Sequence, residues 1–144
     1  MHRQTGRFAT PADADRVWAV YTSVDAWPRW SEDIERATLD EPFAPGAEGR
    51  VKFAKVPEGS FSVTTLDREA GTFTVVARLF AGLLTVTFFH EVTAIPAGAQ
   101  ITERADFGGL LAPVLGLIER RRIRKRWPEA MRTMTALARR DPPN

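Results

Sequence analysis

Six glycines divide the middle of the chain into segments of nearly regular length. They are Gly49, Gly59, Gly71, Gly82, Gly98 and Gly108, with intervals of 10, 12, 11, 16 and 10 residues. The segments between them have the length of strands and are rich in β-branched and aromatic residues. Turn residues at such spacing are typical of antiparallel strands joined by hairpins. The middle of the chain is therefore predicted to form an antiparallel meander.

Six strands are predicted in this region, after a short opening strand at about Gln4–Phe8. Their approximate ranges are Ile34–Asp40, Arg50–Val56, Ser60–Asp67, Thr72–Phe80, Leu83–Ile95 and Gln100–Phe107.

The last two strands are long enough to predict a register. If Pro96–Ala99 is the loop, Glu91 opposes Arg104 and His90 opposes Ala105. Glu103 then lies diagonally across from His90 on the same face. That face is predicted to be the inward one, because it also carries the apolar residues of both strands and of the strand before them. These are Phe73, Val75, Ala77, Leu79, Leu84, Val86, Phe88 and Val92.

Two helices are predicted between the opening strand and the meander. Thr10 is suited to cap the first helix and Pro11 to occupy its first position. Its apolar face is formed by Ala14, Val17, Trp18 and Tyr21. Pro28 is suited to begin a second, short helix, with Trp27 and Trp30 three residues apart on one side.

A long helix is predicted from Gly109 to about Arg139, with a length of roughly 40 Å. An apolar stripe follows it through Ile123, Trp127, Met131 and Met134. Pro128 should kink or restart this helix. Such a helix needs a partner surface, and the concave face of a twisted sheet is the available one.

Composition narrows the function classes. A chain of 144 residues corresponds to one domain. The absence of cysteine excludes disulfides and thiolate chemistry, and two histidines are too few for a histidine-rich zinc site, so no metal is expected. The net charge of +2 does not favour a nucleic-acid-binding protein. Residues 1–7 have no apolar core of a secretory signal and no segment is long enough to span a membrane, which predicts a cytoplasmic protein.

The order of these elements resembles the START-like, or SRPBCC, superfamily, and in particular its polyketide cyclase/dehydrase and lipid transport family. The resemblance covers nearly the whole chain. The residues that carry it are Val17-Trp18, Trp27-Pro28-Arg29-Trp30, Pro42-Phe43-Ala44-Pro45-Gly46, Ile101-Thr102-Glu103-Arg104 and Phe107-Gly108. It implies one α+β domain over residues 1–144 with a helix-grip fold, in which a curved antiparallel sheet of about seven strands wraps around the long terminal helix.

The resemblance also implies a cavity between the sheet and that helix, which binds a polyketide-, lipid- or aromatic-like molecule. The residues expected to line it are Tyr21, Trp27, Trp30, Phe73, Val75, Phe88, Ala105, Phe107, Leu111 and Leu115. An alternative is that large side chains, such as Phe53, Phe73, Phe88 and Phe107, fill this space.

His90 and Glu103 are the candidate catalytic residues. A histidine on an apolar inward face can act as a general acid or base, with Glu103 orienting it. The alternative is structural: His90 is a buried side chain satisfied by Glu103, or Glu103 pairs with Arg122 of the terminal helix.

Two further groups of residues have alternative interpretations. Trp27 and Trp30 either form an aromatic mouth for a flat ligand or belong to the core, whereas Trp18 is expected in the core. The basic run Arg120–Arg126 either contacts an anionic partner or forms a solvated helix face, and its side chains are expected to spread around the helix.

Three functions follow as hypotheses. The first is a carrier or binding module for a small hydrophobic molecule. The second is a cofactor-free polyketide cyclase or dehydratase with His90 as general acid or base. The third is a co-chaperone-like interaction module that uses the basic helix. No cofactor and no nucleic acid are expected, and the protein is expected to be a monomer or a homodimer.

Overall fold

The computed structural model describes residues 2–140, and its seven strands form a single antiparallel sheet. The strands are β1 (His2–Thr10), β2 (Ile34–Leu39), β3 (Glu48–Phe53), β4 (Gly59–Asp67), β5 (Thr72–Leu79), β6 (Leu84–Ile95) and β7 (Gly98–Gly108). Their order in the sheet is β1-β7-β6-β5-β4-β3-β2. The meander therefore runs from β2 to β7, and β1 is added beside β7 at the other edge.

Three α-helices accompany the sheet in the described part of the chain. They are α1 (Ala14–Tyr21), α2 (Trp27–Trp30) and α3 (Leu117–Arg140), with a π-helical segment over Ala112–Gly116 before α3. Helix α3 packs against α1, α2 and β1. The helix-grip α+β fold predicted from the sequence is confirmed, with two short helices after the first strand and one long helix at the end.

The register of the last hairpin differs from the prediction by two residues. Ile95 pairs with Gly98, so Pro96 and Ala97 alone form the turn. Gly98 has a φ of 148°, and a Cβ on it would lie 2.2 Å from the carbonyl oxygen of Thr10, so this position requires glycine. Since side chains alternate with a period of two, the slip leaves every residue on its predicted face.

The slip changes which residues are partners across the hairpin. His90 lies directly opposite Glu103, and Ala105 lies opposite Phe88. Arg104, predicted to face Glu91, is instead opposite Phe89, and its guanidinium lies 5.0 Å from the centre of that ring. In the pairing of β5 with β6, Phe73 lies opposite His90 and Leu79 opposite Leu84, and both β5 residues are on the predicted inward face.

One local prediction about helices is wrong. Thr10 ends β1, and the residue before α1 is Asp13. The Thr10 hydroxyl instead accepts a hydrogen bond from the Ala12 N–H and shares one with Thr135 of α3. Of the two alternatives for Pro128, the restart is excluded, because helix α3 continues through this residue.

The interior contains two apolar clusters of different character. The larger one joins α1, the carboxyl half of α3 and much of the sheet, and it includes Val17, Tyr21, Met131 and Met134. The smaller one lies around Leu84 and Val86 near the start of the terminal helix. Partly buried residues, including Leu115, Ile123 and Trp127, pack against this smaller cluster. The interior is therefore closed at one end of α3 and incompletely filled at the other.

Candidate functional site

A cavity of about 340 Å³ lies between the sheet and the amino half of α3. Its walls are mainly aromatic and aliphatic, so it suits an apolar molecule. One alternative from the sequence was that large side chains fill this space. The phenylalanines concerned form the walls of the cavity instead; they are Phe53, Phe73, Phe88 and Phe107. The large side chains therefore surround the space without closing it.

Most of the residues expected from the resemblance to contact a ligand lie on the wall of this cavity. They are Tyr21, Trp27, Trp30, Phe73, Val75, Phe88, Phe107 and Leu115. Ala105 and Leu111 are not among the lining residues. Ala105 is completely buried in the smaller cluster, and the Leu111 N–H donates a hydrogen bond to the Leu83 carbonyl outside the cavity.

Glu103, His90 and Tyr21 form one hydrogen-bonded group at the cavity wall. The Tyr21 hydroxyl donates a hydrogen bond to Glu103 Oε1, and His90 Nδ1 lies 3.1 Å from the same oxygen. The Glu103 side chain is 3% exposed and that of His90 is 13% exposed. A buried carboxylate is costly unless it is paired and hydrogen-bonded, and these two donors supply that compensation. The alternative partner, Arg122, pairs with Glu119.

The hydrogen bond fixes which nitrogen of His90 is available. When Glu103 is ionised it can only accept hydrogen bonds, so its hydrogen bond with His90 requires the proton on Nδ1. In the neutral imidazole the lone pair is then on Nε2, to which no side chain within residues 2–140 bonds. His90 lines the cavity, so a molecule inside meets an imidazole oriented by a buried acid.

Aromatic contacts hold the imidazole ring in place. It stacks on Phe73, with ring centres 4.6 Å apart and an angle of 25° between the planes. The Tyr21 ring lies 5.1 Å from it on another side. Since Phe73 is the β5 partner of His90, the sheet register itself creates this stack.

Tyr21 was expected to contribute its ring, and the structure gives its hydroxyl a second role. Burial, and then the nearby Glu103 charge, raise the pKa of Tyr21 well above its ordinary value. The phenol therefore stays protonated and remains a donor. Its hydroxyl also lies 3.1 Å from Met131 Sδ, while Trp27 Nε1 donates to the Tyr21 carbonyl at 2.8 Å. Tyr21 is the single tyrosine of the chain, which marked it in the sequence, but the sequence alone did not predict its hydrogen bond to Glu103.

The tryptophans divide as the alternatives allowed. Trp18 is buried and packs edge-on against Phe73, with 5.7 Å between ring centres. Trp27 and Trp30 both line the cavity, and Trp27 is nevertheless buried. The Trp30 ring meets Tyr21 edge-on at 5.4 Å, and its buried Nε1 has no hydrogen-bond partner among residues 2–140.

Charged residues surround the cavity on the α3 side, and sequence reasoning missed most of them. Arg126 bonds to Glu32 at 2.7 Å and joins α3 to the segment after α2. Arg122 lies 3.5 Å from Glu119. Burial raises the pKa of Glu119, Arg122 opposes this shift and Asp33 adds to it. The spacing 119, 122 and 126 was the available signal, since these positions share a helix face.

The basic run is thereby divided between two surfaces. Arg122 and Arg126 line the cavity, and Arg126 is also exposed at its border, whereas Arg121, Arg124 and Lys125 are exposed and do not line the cavity. The side chains do spread around the helix, as predicted, but Arg121, Arg124 and Lys125 share one side.

Two further kinds of site have no candidates in the described part of the chain. Residues 2–140 contain no group of three or more histidine, aspartate or glutamate side chains placed to hold a metal ion. None of the helices there has the length and apolar character needed to cross a membrane.

Comparison with known proteins gives a family and a set of similar folds. The family model described as polyketide cyclase / dehydrase and lipid transport matches residues 1–140. No curated protein matches the chain in sequence.

Three solved structures illustrate the fold similarity. Protein MLL2253 from Mesorhizobium loti has a TM-score of 0.77 at 12% identity, over 98% of this chain and 99% of that one. Norcoclaurine synthase from Thalictrum flavum, in complex with dopamine and hydroxybenzaldehyde, has a TM-score of 0.71 at 13% identity, over 99% of this chain and 88% of that one. The di-domain ARO/CYC BexL has a TM-score of 0.74 at 14% identity, over 96% of this chain and 47% of that one. At these identities the similarity shows the fold alone.

Proposed function

Since the chain belongs to the polyketide cyclase/dehydrase and lipid transport family of the START-like superfamily, we propose that it binds a small aromatic or apolar molecule inside its cavity. The observation that carries this proposal is the 340 Å³ space with an aromatic wall and one oriented imidazole. This volume lies within the range of about 300–1,000 Å³ that is usual for small-molecule sites. The ligand would place a polar atom against Nε2 of His90 and its apolar body between the phenylalanines.

The size of the hydrophobic contribution indicates how the site discriminates. Burying about 200 Å² of apolar ligand surface contributes roughly 5 kcal/mol. Much of this contribution is offset by the translational and rotational freedom that the ligand loses, so the apolar contact alone gives weak binding. The hydrogen bond to His90 then decides which molecules of similar shape bind more tightly.

Filling the cavity tests this proposal. Ala77 lines the cavity on β5, and Ala77→Leu places three more carbon atoms inside it. Binding is followed by the fluorescence of anilinonaphthalene sulfonate and by its displacement with aromatic ketones. Ala77→Leu should weaken binding at least about tenfold, because the added volume competes with the ligand. Native mass spectrometry of the purified protein would identify any molecule that it retains.

The matched control is Val76→Leu, at the next position on the same strand. Val76 lies on the opposite face of the sheet, so its substitution should leave the affinity unchanged. Equal affinity for Ala77→Leu and the wild type would contradict binding inside the cavity.

A second candidate function is proton-transfer catalysis without a cofactor. It is favoured by the specific arrangement of His90, whose Nδ1 is held by Glu103 while the ring lines the cavity. Nε2 would take a proton from the carbon next to a ketone, which leaves an enolate and an imidazolium stabilised by Glu103. The enolate carbon would form a bond to a second carbonyl of the same molecule, and the alkoxide formed would recover the proton from Nε2. This is the proton balance of an aldol-type cyclisation.

Deuterium exchange into acetophenone tests the first step without knowledge of the natural substrate. The wild type should accelerate exchange of the methyl protons in D₂O, measured by NMR. His90→Gln should reduce the exchange rate to the background. The dissociation constant should rise by about tenfold at most, because the variant loses one hydrogen bond to the ligand while its amide can still donate to Glu103. Equal rates in both proteins would exclude His90 as the base and leave the binding function intact.

A further inference from the structure

The exposed large apolar side chains of this protein are concentrated in one region. Those found within residues 2–140 are Leu83, Leu110, Val114, Leu117 and Ile118, here called the apolar patch. Leu110 is 83% exposed and Val114 is 66% exposed. A contiguous group of this kind marks an interaction site, whereas scattered single residues do not.

Backbone contacts hold the two parts of the apolar patch together. Leu83 immediately precedes β6, and the other four residues come after β7 in the chain. The Leu111 N–H donates to the Leu83 carbonyl at 3.0 Å, which places Leu110 beside Leu83. The π-helical segment Ala112–Gly116 carries Val114, and such segments are frequent at functional sites.

Exposed cations continue the same side of α3. Ile118, Arg121 and Lys125 are three and four residues apart, which is the spacing of one helix face. Arg121, Arg124 and Lys125, here called the basic row, are all exposed and have no ion-pair partner among the described residues. No acidic residue occurs between positions 120 and 126. Apolar side chains are therefore followed directly by unneutralised positive charge along one side of the helix.

We propose that the apolar patch and the basic row together dock on the surface of an anionic lipid bilayer. The patch would enter the boundary between headgroups and acyl chains, and the basic row would lie at the level of the phosphates. A helix with large apolar side chains at one end and cations along the next turns matches this interface. This proposal goes beyond ligand binding and does not require the cavity to be occupied.

Charge complementarity favours a bilayer over the other occupants. Two copies of the chain joined face to face through this region would bring two basic rows together, which is unfavourable. A nucleic acid would match the basic row but would leave the exposed leucines without a partner. The anionic bilayer satisfies both parts of the surface.

The position of this surface relates it to the cavity. Ile118 belongs to the apolar patch and also lines the cavity. Phe80, which lies in the same turn as Leu83 of the patch, lines the cavity as well. Docking there would place the cavity next to the acyl chains, so that an apolar ligand could move between them without crossing water.

Vesicle flotation with the full chain tests the proposal. The vesicles consist of phosphatidylcholine alone or of a three-to-one mixture with phosphatidylglycerol. The wild type should float with the mixed vesicles at low salt, bind the neutral vesicles at least tenfold less well, and be released from the mixed vesicles at high salt. Failure to bind the mixed vesicles, or equal binding to both kinds, would overturn the proposal.

Two variants probe the two parts of the surface independently. Arg121→Glu with Lys125→Glu should weaken vesicle binding at least 25-fold, since each cation near an anionic surface contributes about a fivefold factor. Leu110→Ser with Leu117→Ser should weaken it at least tenfold without changing the salt dependence. All four positions are exposed, so thermal unfolding should be unchanged and loss of folding does not account for the result.

The control makes the same change in charge on two strands of the sheet. Arg36 and Arg50 are exposed on β2 and β3, and Arg36→Glu with Arg50→Glu should leave vesicle binding within about twofold of the wild type. An equal loss in this control would show a general charge effect and overturn the proposal. So would light scattering that shows a dimer in the wild type and a monomer for the Leu110/Leu117 double variant, because a second copy would then cover the patch.

The cavity variant separates this proposal from the previous one. Ala77→Leu should bind mixed vesicles as well as the wild type does, because its substitution is inside the cavity. If the protein binds vesicles but no ligand, the bilayer proposal stands and the ligand-binding proposal fails. If it binds the ligand but no vesicles, the ligand-binding proposal stands and the bilayer proposal fails.

Discussion

The two halves of α3 face the same sheet but have different roles. In the carboxyl half, Met131, Met134, Leu137 and Ala138 are buried, and Met134 and Ala138 are not exposed at all. In the amino half, Ile123 and Trp127 are only partly buried, and Leu117 and Ile118 are exposed. The comparison shows that one end of the helix secures the fold, so the other end can remain apart from the sheet and border a cavity.

The neighbours of each half explain the difference. Helix α1 packs on α3 and supplies Val17 and Tyr21 to the larger cluster. Side chains from two helices therefore cover the concave face of the sheet at that end. Near the start of α3 the interior side chains come from the sheet and from the helix itself. Their combined volume does not fill the concave surface, which is why the cavity lies there.

The largest effect should come from truncating the filled half. Met134→Ala removes a completely buried side chain and should lower the free energy of unfolding by about 2–5 kcal/mol. Ile123→Ala in the amino half removes a partly buried side chain that already borders the cavity, so the loss should be below about 1.5 kcal/mol. Guanidinium unfolding of both variants measures the difference. Equal losses would mean that the two halves secure the fold equally, contrary to the comparison.

An intermediate effect is expected at Tyr21 of α1, which lines the cavity and also belongs to the larger apolar cluster. Burial, with Glu103 as the second cause, raises the pKa of this phenol, so the folded state holds its proton more strongly than the unfolded state does. Stability from this group is therefore complete below pH 10 and is lost as the pH rises above it, with a slope of up to about 1.4 kcal/mol per pH unit. Tyr21 is the only tyrosine, so the absorbance of tyrosinate reports on it alone. The signal should appear only together with unfolding.

Tyr21→Phe provides the control for that titration. It should remove the part of the alkaline stability loss that belongs to the phenol. At neutral pH it should cost about 1–3 kcal/mol, because Glu103 loses a donor in a buried place. A tyrosinate signal with an ordinary midpoint in the folded protein would contradict the buried hydrogen bond.

The fold was largely predictable because its signals are local and repeated. Period-two patterns in β5, β6 and β7 assigned the inward face correctly even though the hairpin register was shifted by two residues. The shift arose because Gly98 was taken as a loop residue, whereas its backbone conformation lets it pair with Ile95. Thr10 has the composition of a cap, but a contact with Thr135, distant in sequence, uses its hydroxyl instead.

The site was predictable in part, for a different reason. His90 and Glu103 are on one face of neighbouring strands, so the strand pattern was sufficient to bring them together. The hydrogen bond from Tyr21 to Glu103 depends on how α1 packs over the sheet, which no periodicity encodes. The division of the basic run required the orientation of α3, which places Arg122 at the cavity and Arg121 in solvent.

The smallest effect is expected from Glu119, at the charged border of the cavity. Burial is the main cause of its raised pKa, and Arg122 only partly opposes it, so the folded state binds this proton more strongly than the unfolded state. The group therefore contributes stability at acidic pH, and the contribution is lost as the pH rises above about 4.5. Glu119→Gln has no such proton, so its stability relative to the wild type should increase from pH 4 to pH 7 by less than about 1 kcal/mol, because water screens this border. Denaturant midpoints at the two pH values measure the change. A relative decrease would mean that the pair with Arg122 outweighs burial, and the open half of the helix would then be held by charge as well as by packing.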